Sequence, residues 1–229
     1  MALIESLTSG SIPSGSNLLV EFDPASHWYN ASITIAAAWL RTGGKVEYDA
    51  FTQPADDVRA QLKRLGIDPE KYEREEKLTI TDWYSATLGQ KSKEKYSHPT
   101  LKMSELSINW SQEMRDEAEP DLLDIGDQES TFARFNDEKV WVEVTLTRII
   151  PVYKIRKSIN FITVVKRIHS EWVYKKLEAA VDGIIEFKLD ETGEEIRSLM
   201  RIRALRNVHF DSRWHGLKIG ENFEVTLEK

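Results

Sequence analysis

The stretch that decides the fold is residues 17–29, which read NLLVEFDPASHWY. Its first part, from Asn17 to Glu21, is a short apolar run beside turn residues, which is typical of a buried strand. Residues 31–41 are apolar on nearly every face and are followed by a glycine pair, which predicts a helix packed on a sheet. A strand that passes through a turn into such a helix is typical of an α/β domain.

The alternation of strands and helices continues along the chain. Strands are predicted over residues 45–51, 78–83, 122–125, 160–165, 184–189, 198–205 and 223–227. Helices are predicted from Pro54 to Gly66, over 101–115, and after Ser170, which can cap the last of them. Residues 134–150 fit both a strand and a helix. Helices between buried strands predict a mostly parallel sheet in one domain over residues 1–229, and the final strands predict an antiparallel C-terminal extension.

The composition is that of a globular protein. Of the 229 residues, 41% are hydrophobic and 30% are charged, which excludes a disordered chain. The chain contains no cysteine, so disulfides and thiolate metal sites are excluded. No apolar run is long enough to span a membrane, and the first residues lack the pattern of a secretion signal. We therefore expect a cytoplasmic protein.

The charge is unevenly distributed. The formal net charge of −7 argues against a dedicated duplex-DNA-binding protein, and we expect proteins rather than nucleic acid as partners. Residues 1–140 carry a net charge of −10, whereas residues 141–229 carry +3. This asymmetry is either chance within one domain or a basic face that meets an anion or the acidic half of another subunit.

The turn after the first strand is the first place to look for a ligand site, because α/β sheets bind ligands at the carboxyl ends of their strands. A loop that cradles phosphate needs glycines, a lysine and then a serine or threonine. This turn has no glycine and no lysine, and its aspartate would repel phosphate. The candidate residues of this degenerate nucleotide site are Asp23, Ala25, Ser26, His27, Trp28 and Tyr29.

Short motifs follow one another in a characteristic order. Early ones are Leu19-Val20-Glu21 before Asp23-Pro24, Leu65-Gly66-Ile67-Asp68, and Asp82-Trp83-Tyr84. The most specific ones close the chain: Ile168-His169-Ser170-Glu171, Asp182-Gly183-Ile184-Ile185, and Phe210 to His215, which read FDSRWH. With these motifs the chain resembles the KaiC-like branch of the RecA-type ATPases, especially the single-domain archaeal members implicated in signal transduction. The resemblance implies a three-layer RecA-like fold of the P-loop NTPase type.

The resemblance also implies a role for each position of the turn. Members of the family carry glycine at the positions of Phe22, Ala25 and His27. They carry lysine at the position of Trp28 and threonine or serine at that of Tyr29. Every phosphate-contacting position is therefore changed in this chain.

The catalytic positions are only partly kept. The family places acidic residues after the second strand, whereas this chain has Gln53 directly before Pro54, so no general base remains. Asp127 matches the carboxylate that assists Mg²⁺ in the family. Where the family has a Lys-Met-Arg pattern that reaches the neighbouring subunit's phosphate, the lysine is lost and Arg206 is kept.

The basic residues near the end of the chain have two interpretations. They are either an ion-paired sheet face or a subunit interface, for which Arg201, Arg203 and Arg206 are the candidates. His209, Asp211 and His215 could meet at a metal, but the family resemblance explains this stretch as structural. We therefore predict no metal site and no cofactor, the alternative being ATP held by stacking on Trp28.

The first functional hypothesis is a catalytically inactive RecA/KaiC-like ATPase homologue. It would act as a regulatory or signal-transduction protein by binding proteins, either related ATPases or copies of itself. The second hypothesis is an ATPase or nucleotide sensor with a remodelled phosphate site. The third is a recombinase-like accessory protein on single-stranded DNA, which only the basic closing third supports.

Overall fold

A computed structural model describes residues 2–97, 118–126 and 137–228. Its strands, in chain order, are β1 (Asn17–Phe22), β2 (Lys45–Ala50), β3 (Leu78–Asp82), β4 (Leu122–Ile125), β5 (Ile159–Val165), β6 (Gly183–Asp190), β7 (Arg197–Leu205), β8 (His215–Ile219) and β9 (Val225–Leu227). They form a sheet in the order β3-β2-β4-β5-β1-β6-β7-β8-β9.

The sheet is parallel from β3 to β6 and antiparallel from there to β9. β1 lies between β5 and β6 and runs parallel to both, and β2 runs parallel to β3 and β4. The pairs β6–β7, β7–β8 and β8–β9 are antiparallel. The predicted mostly parallel sheet with an antiparallel C-terminal extension is therefore confirmed. Because β1 is central and parallel, the turn after it lies at the carboxyl edge of the sheet.

Helices cover both faces of the sheet. They are α1 (Ala2–Glu5), α2 (Trp28–Arg41), α3 (Ala55–Arg64), α4 (Pro69–Arg74), α5 (Tyr84–Thr87), α6 (Glu138–Val144), a π-helical turn (Thr145–Ile149), α7 (Ile150–Arg156) and α8 (Glu171–Ala180). Sequence explains several of their starts. Pro54 precedes α3, and the side chain of Asp68 caps α4 by accepting the N–H of Lys71.

The alternation of side chains along β1 separates the two halves of the core. Val20 and Phe22 point to the face covered by α2 and α3, where Leu62 is buried. Leu19 points to the other face, where it packs with Trp141 and other buried residues of α6 and α8. The chain therefore has the three layers of a RecA-like fold. Within the described residues no helix is both long enough and apolar enough to cross a membrane.

The structure corrects several sequence predictions. α2 begins at Trp28 rather than at residue 31, and β8 was not predicted. The part of residues 134–150 that is described is helical. Ser170 precedes α8 but does not cap it, because its hydroxyl donates to Glu138. The helix predicted over 101–115 lies outside the described residues.

Candidate functional site

The turn between β1 and α2 uses its backbone N–H groups for contacts inside the chain. Asp23 N–H donates to the carbonyl of Phe187 at 3.2 Å. Ser26 N–H donates to the carbonyl of Asp23 at 2.8 Å, and His27 N–H donates to Ser198 Oγ at 3.0 Å. A phosphate cradle needs successive N–H groups that point at one anion. These three groups point at three separate acceptors.

The turn also offers no positive charge. The Asp23 carboxylate accepts a hydrogen bond from the N–H of Leu189 at 3.2 Å. This hydrogen bond keeps the carboxylate group of Asp23 within the turn. Burial lowers the pKa of His27 below its ordinary value, so its imidazole is neutral at pH 7. Ala25 is exposed, and the Ser26 hydroxyl is buried without a hydrogen-bond partner among the described residues. The side chains of the turn itself, residues 23–27, therefore offer phosphate a carboxylate and no cation.

Trp28, the first residue of α2, is part of the core. Its side chain is 3% exposed. The centroid of its ring lies 5.3 Å from that of Phe187 and 6.2 Å from those of Phe22 and Phe161. These distances are typical of packed aromatic pairs. The indole therefore fills the space at the start of α2.

Little room remains beside the indole at the carboxyl ends of β2, β4 and β5. The cavity there has a volume of about 20 Å³ and is lined by Trp28, Tyr29, Tyr48, Gly126 and other residues. This volume holds about one water molecule. A triphosphate does not fit into it. Asp127, the residue predicted to assist Mg²⁺, lies outside the described residues.

A larger cavity lies on the other side of Tyr29. Its volume is about 420 Å³, within the range of small-molecule sites. The Arg64 guanidinium lies 5.3 Å from the ring centroid of Phe223, which is 52% exposed. Gln53 accepts a hydrogen bond from Gln61 at 2.7 Å. The lining residues are Tyr29, Asn30, Ile33, Thr52, Gln53, Gln61, Arg64, Leu65, Asn222 and Phe223.

Arg203, one of the predicted interface residues, is ion-paired inside the chain. Its guanidinium lies 3.0 Å from Glu21 and 2.7 Å from Glu178. Burial raises the pKa of Glu21, and the charge of Arg203 opposes that rise. Arg203 therefore stabilises a buried carboxylate of β1, as expected for an ion-paired sheet face.

The other two predicted interface residues also have partners within the chain. Arg201 Nε donates to Glu186 at 2.5 Å, and Arg206 donates to the carbonyl of Ala179 at 3.1 Å. Their role at a subunit interface stays a prediction.

Sequence reasoning missed a buried carboxylate on β4. Asp124 is 6% exposed, and its Oδ2 accepts a hydrogen bond from the Tyr153 hydroxyl. Burial and the nearby charges of Glu47 and Asp49 raise the pKa of Asp124 well above its ordinary value. The available signal was an acidic residue inside the apolar run from Leu122 to Ile125.

The histidine-containing stretch near the end of the chain is organised by ion pairs. Arg213 lies 2.6 Å from Asp211 and holds the pKa of that carboxyl far below its usual range. His215 lies 3.4 Å from the same carboxylate. In the part of the chain that the structure describes, no group of three or more histidine, aspartate or glutamate side chains could hold a metal ion.

The sheet order, the helices on both faces and the turn at the carboxyl edge define the class as a RecA-type α/β protein. The family model for the KaiC ATPase matches residues 32–228. The chain belongs to this family. The match begins inside α2, four residues after Trp28, so it does not include the turn between β1 and α2.

One similar solved structure is the KaiC-like protein PH0186 from Pyrococcus horikoshii OT3, a hyperthermophilic archaeon. The two share 19% sequence identity with a TM-score of 0.67, over 98% of this chain and 94% of that one. This similarity shows the fold. No curated protein matches the chain.

Proposed function

We propose that this member of the KaiC family does not hydrolyse ATP and acts as a regulatory protein through contacts with other proteins. Related ATPases and further copies of the chain are the candidate partners. The observation that carries the proposal is the buried indole of Trp28, packed among three phenylalanines at the start of α2.

Three further observations support the loss of phosphate binding. The N–H groups of the turn have separate acceptors within the chain. The carboxylate of Asp23 makes the turn negative, and the space beside Trp28 is about 20 Å³. Each lost charge-assisted hydrogen bond costs roughly 1.5–3 kcal/mol, so several of them remove most of the ~8 kcal/mol of micromolar affinity.

We expect labelled ATP to show no saturable binding up to about 1 mM, with or without Mg²⁺, because no group in the turn compensates the phosphate charge. Equilibrium dialysis against the whole chain measures this directly. An active KaiC-family ATPase in a parallel chamber shows that the assay detects binding. Submicromolar binding that is lost on replacing Tyr29 with alanine would refute the proposal.

A second candidate function is a nucleotide sensor that holds its ligand beside the turn. The cavity of about 420 Å³ that contains Tyr29, Arg64 and Phe223 favours it, because it combines aromatic rings with a cation.

The sensor hypothesis predicts thermal stabilisation by a nucleotide. A ligand at about one hundred times its Kd stabilises by roughly 2.7 kcal/mol. Arg64→Gln should abolish this shift, whereas Lys63→Gln on the same helix should not, because Lys63 does not line the cavity. Differential scanning fluorimetry with ATP, ADP, AMP and adenosine is the measurement. No shift with any of them excludes the sensor.

A further inference from the structure

Three cations from different parts of the chain surround the half-buried ring of Trp214. The Lys188 ammonium lies 4.3 Å from the ring centroid, the Arg201 guanidinium 4.4 Å and the Lys166 ammonium 5.5 Å. We call these four residues the Trp214 patch. Cation–π attraction extends to about 6 Å, so all three cations interact with the one ring.

The patch lies at the carboxyl edge of the sheet, on the face opposite Trp28. Lys166 directly follows β5, and its N–H donates to the carbonyl of Phe22 at the end of β1. Lys188 lies on β6 next to Phe187, which packs against Trp28. Because neighbouring residues of a strand point to opposite faces, Lys188 points away from the aromatic core.

The cations of the patch are incompletely neutralised. Glu186 is shared by Lys166 at 3.4 Å and Arg201 at 2.5 Å, and it also lies 3.5 Å from Arg203. Within the described residues Lys188 has no carboxylate at ion-pair distance, although its charge also acts on the carboxylate of Asp190. Like charges this close repel each other, and an anion bound to the patch would relieve that repulsion.

We propose that the Trp214 patch docks an acidic segment of a partner protein. This inference rests on the proposed role through protein contacts and adds the chemistry of the partner. Aspartate and glutamate side chains each carry one carboxylate. One carboxylate of an acidic segment can pair with Lys188 and another with Arg201. The chain as a whole carries a net charge of −7, which repels anions. The clustered cations of the Trp214 patch attract anions at that one place, so an anionic partner is expected to bind there.

A protein segment fits the patch better than a nucleic acid does. A polymer of phosphates extends beyond the patch, and the rest of the chain, which carries an excess of acidic residues, does not favour its binding. Residues 1–140 alone carry a net charge of −10. A short acidic segment needs only the patch itself.

The test is the fluorescence anisotropy of a fluorescein-labelled decaglutamate peptide with the whole chain at low salt. We expect Lys188→Gln to weaken binding at least about five-fold. Lys91→Gln, the same charge change on an exposed lysine in the loop after α5, should leave binding within about two-fold. Trp214→Phe should retain more binding than Trp214→Leu, because only the former keeps a ring beside the cations.

Each alternative outcome contradicts the proposal. Equal weakening by Lys188→Gln and Lys91→Gln would show attraction to total charge alone. Tighter binding of an oligothymidylate with the same number of charges, again dependent on Lys188, would assign the patch to nucleic acid. Self-association in sedimentation that Lys188→Gln abolishes would assign it to a second copy. If the peptide fails to bind and ATP also fails to bind, the docking inference falls while the loss of ATP binding stands.

Discussion

Trp28→Ala is expected to destabilise the protein by about 3–5 kcal/mol, the usual cost of removing a buried aromatic side chain. The physical reason is the cavity left among Phe22, Phe161 and Phe187, which belong to three neighbouring strands of the sheet. Urea unfolding followed by circular dichroism measures the change in the free energy of unfolding.

Trp172→Ala is the matched control, because Trp172 is 42% exposed on α8. Its effect should stay near the roughly 0.5 kcal/mol typical of surface substitutions. Trp28→Lys, which restores the residue type that the family resemblance implies, should destabilise at least as much as Trp28→Ala. A lysine there would place an ammonium among aromatic rings without a carboxylate. Equal, small effects of Trp28→Ala and Trp172→Ala would show that the indole does not fill the core.

Much of the fold could be predicted because its signals are local. The apolar run at Asn17 to Glu21 and the alternation of strands with helices define a parallel sheet without any distant information. β8 was missed because its five residues, His215–Ile219, include a glycine and two basic or titratable side chains and lack a clear apolar pattern. The described part of residues 134–150 is helical because the helical period of its apolar residues places Trp141 and Val142 in the core.

The sequence could predict only those features of the site that depend on which residues are present, and not those that depend on distant contacts. The absence of glycine and lysine from the turn can be read directly, but the burial of Trp28 depends on Phe161 and Phe187, more than 130 residues away in the sequence. The ion pairs of Arg201 and Arg203 likewise depend on carboxylates from other strands, Glu186 and Glu21. Such contacts are set by strand order and register, which one sequence does not specify.

Asp124→Asn is expected to flatten the decline in stability as pH rises and to stabilise the protein at pH 8. The pKa of Asp124 is raised in the folded state, so the folded chain keeps a proton that the unfolded chain loses above about pH 4. The stability contributed by this proton is complete below the unfolded pKa and is lost as pH rises towards the folded pKa. Asparagine has no such proton to lose.

The contacts around Asp124 explain why asparagine fits there. Asp124 and Asn160 are paired in register on β4 and β5, and each has a buried Oδ1 without a hydrogen-bond donor among the described residues. The amide of Asn160 already donates to Asn17 at 3.0 Å, so its own oxygen needs a donor. A neutral Asp124 or an asparagine can supply that donor, whereas an ionised carboxylate cannot.

The measurement is urea unfolding of both proteins from pH 5 to pH 8. The advantage of Asp124→Asn should grow with pH by at most about 1.4 kcal/mol per unit. Asp121→Asn, at an exposed aspartate three residues earlier, should follow the unmodified protein at every pH. If Asp124 were ionised and stabilised by Arg156, removing its charge would instead destabilise by roughly 3–5 kcal/mol. At pH 8, a higher free energy of unfolding for Asp124→Asn than for the unmodified protein therefore indicates that Asp124 is a neutral acid. A lower one indicates a buried ion pair between Asp124 and Arg156 of α7.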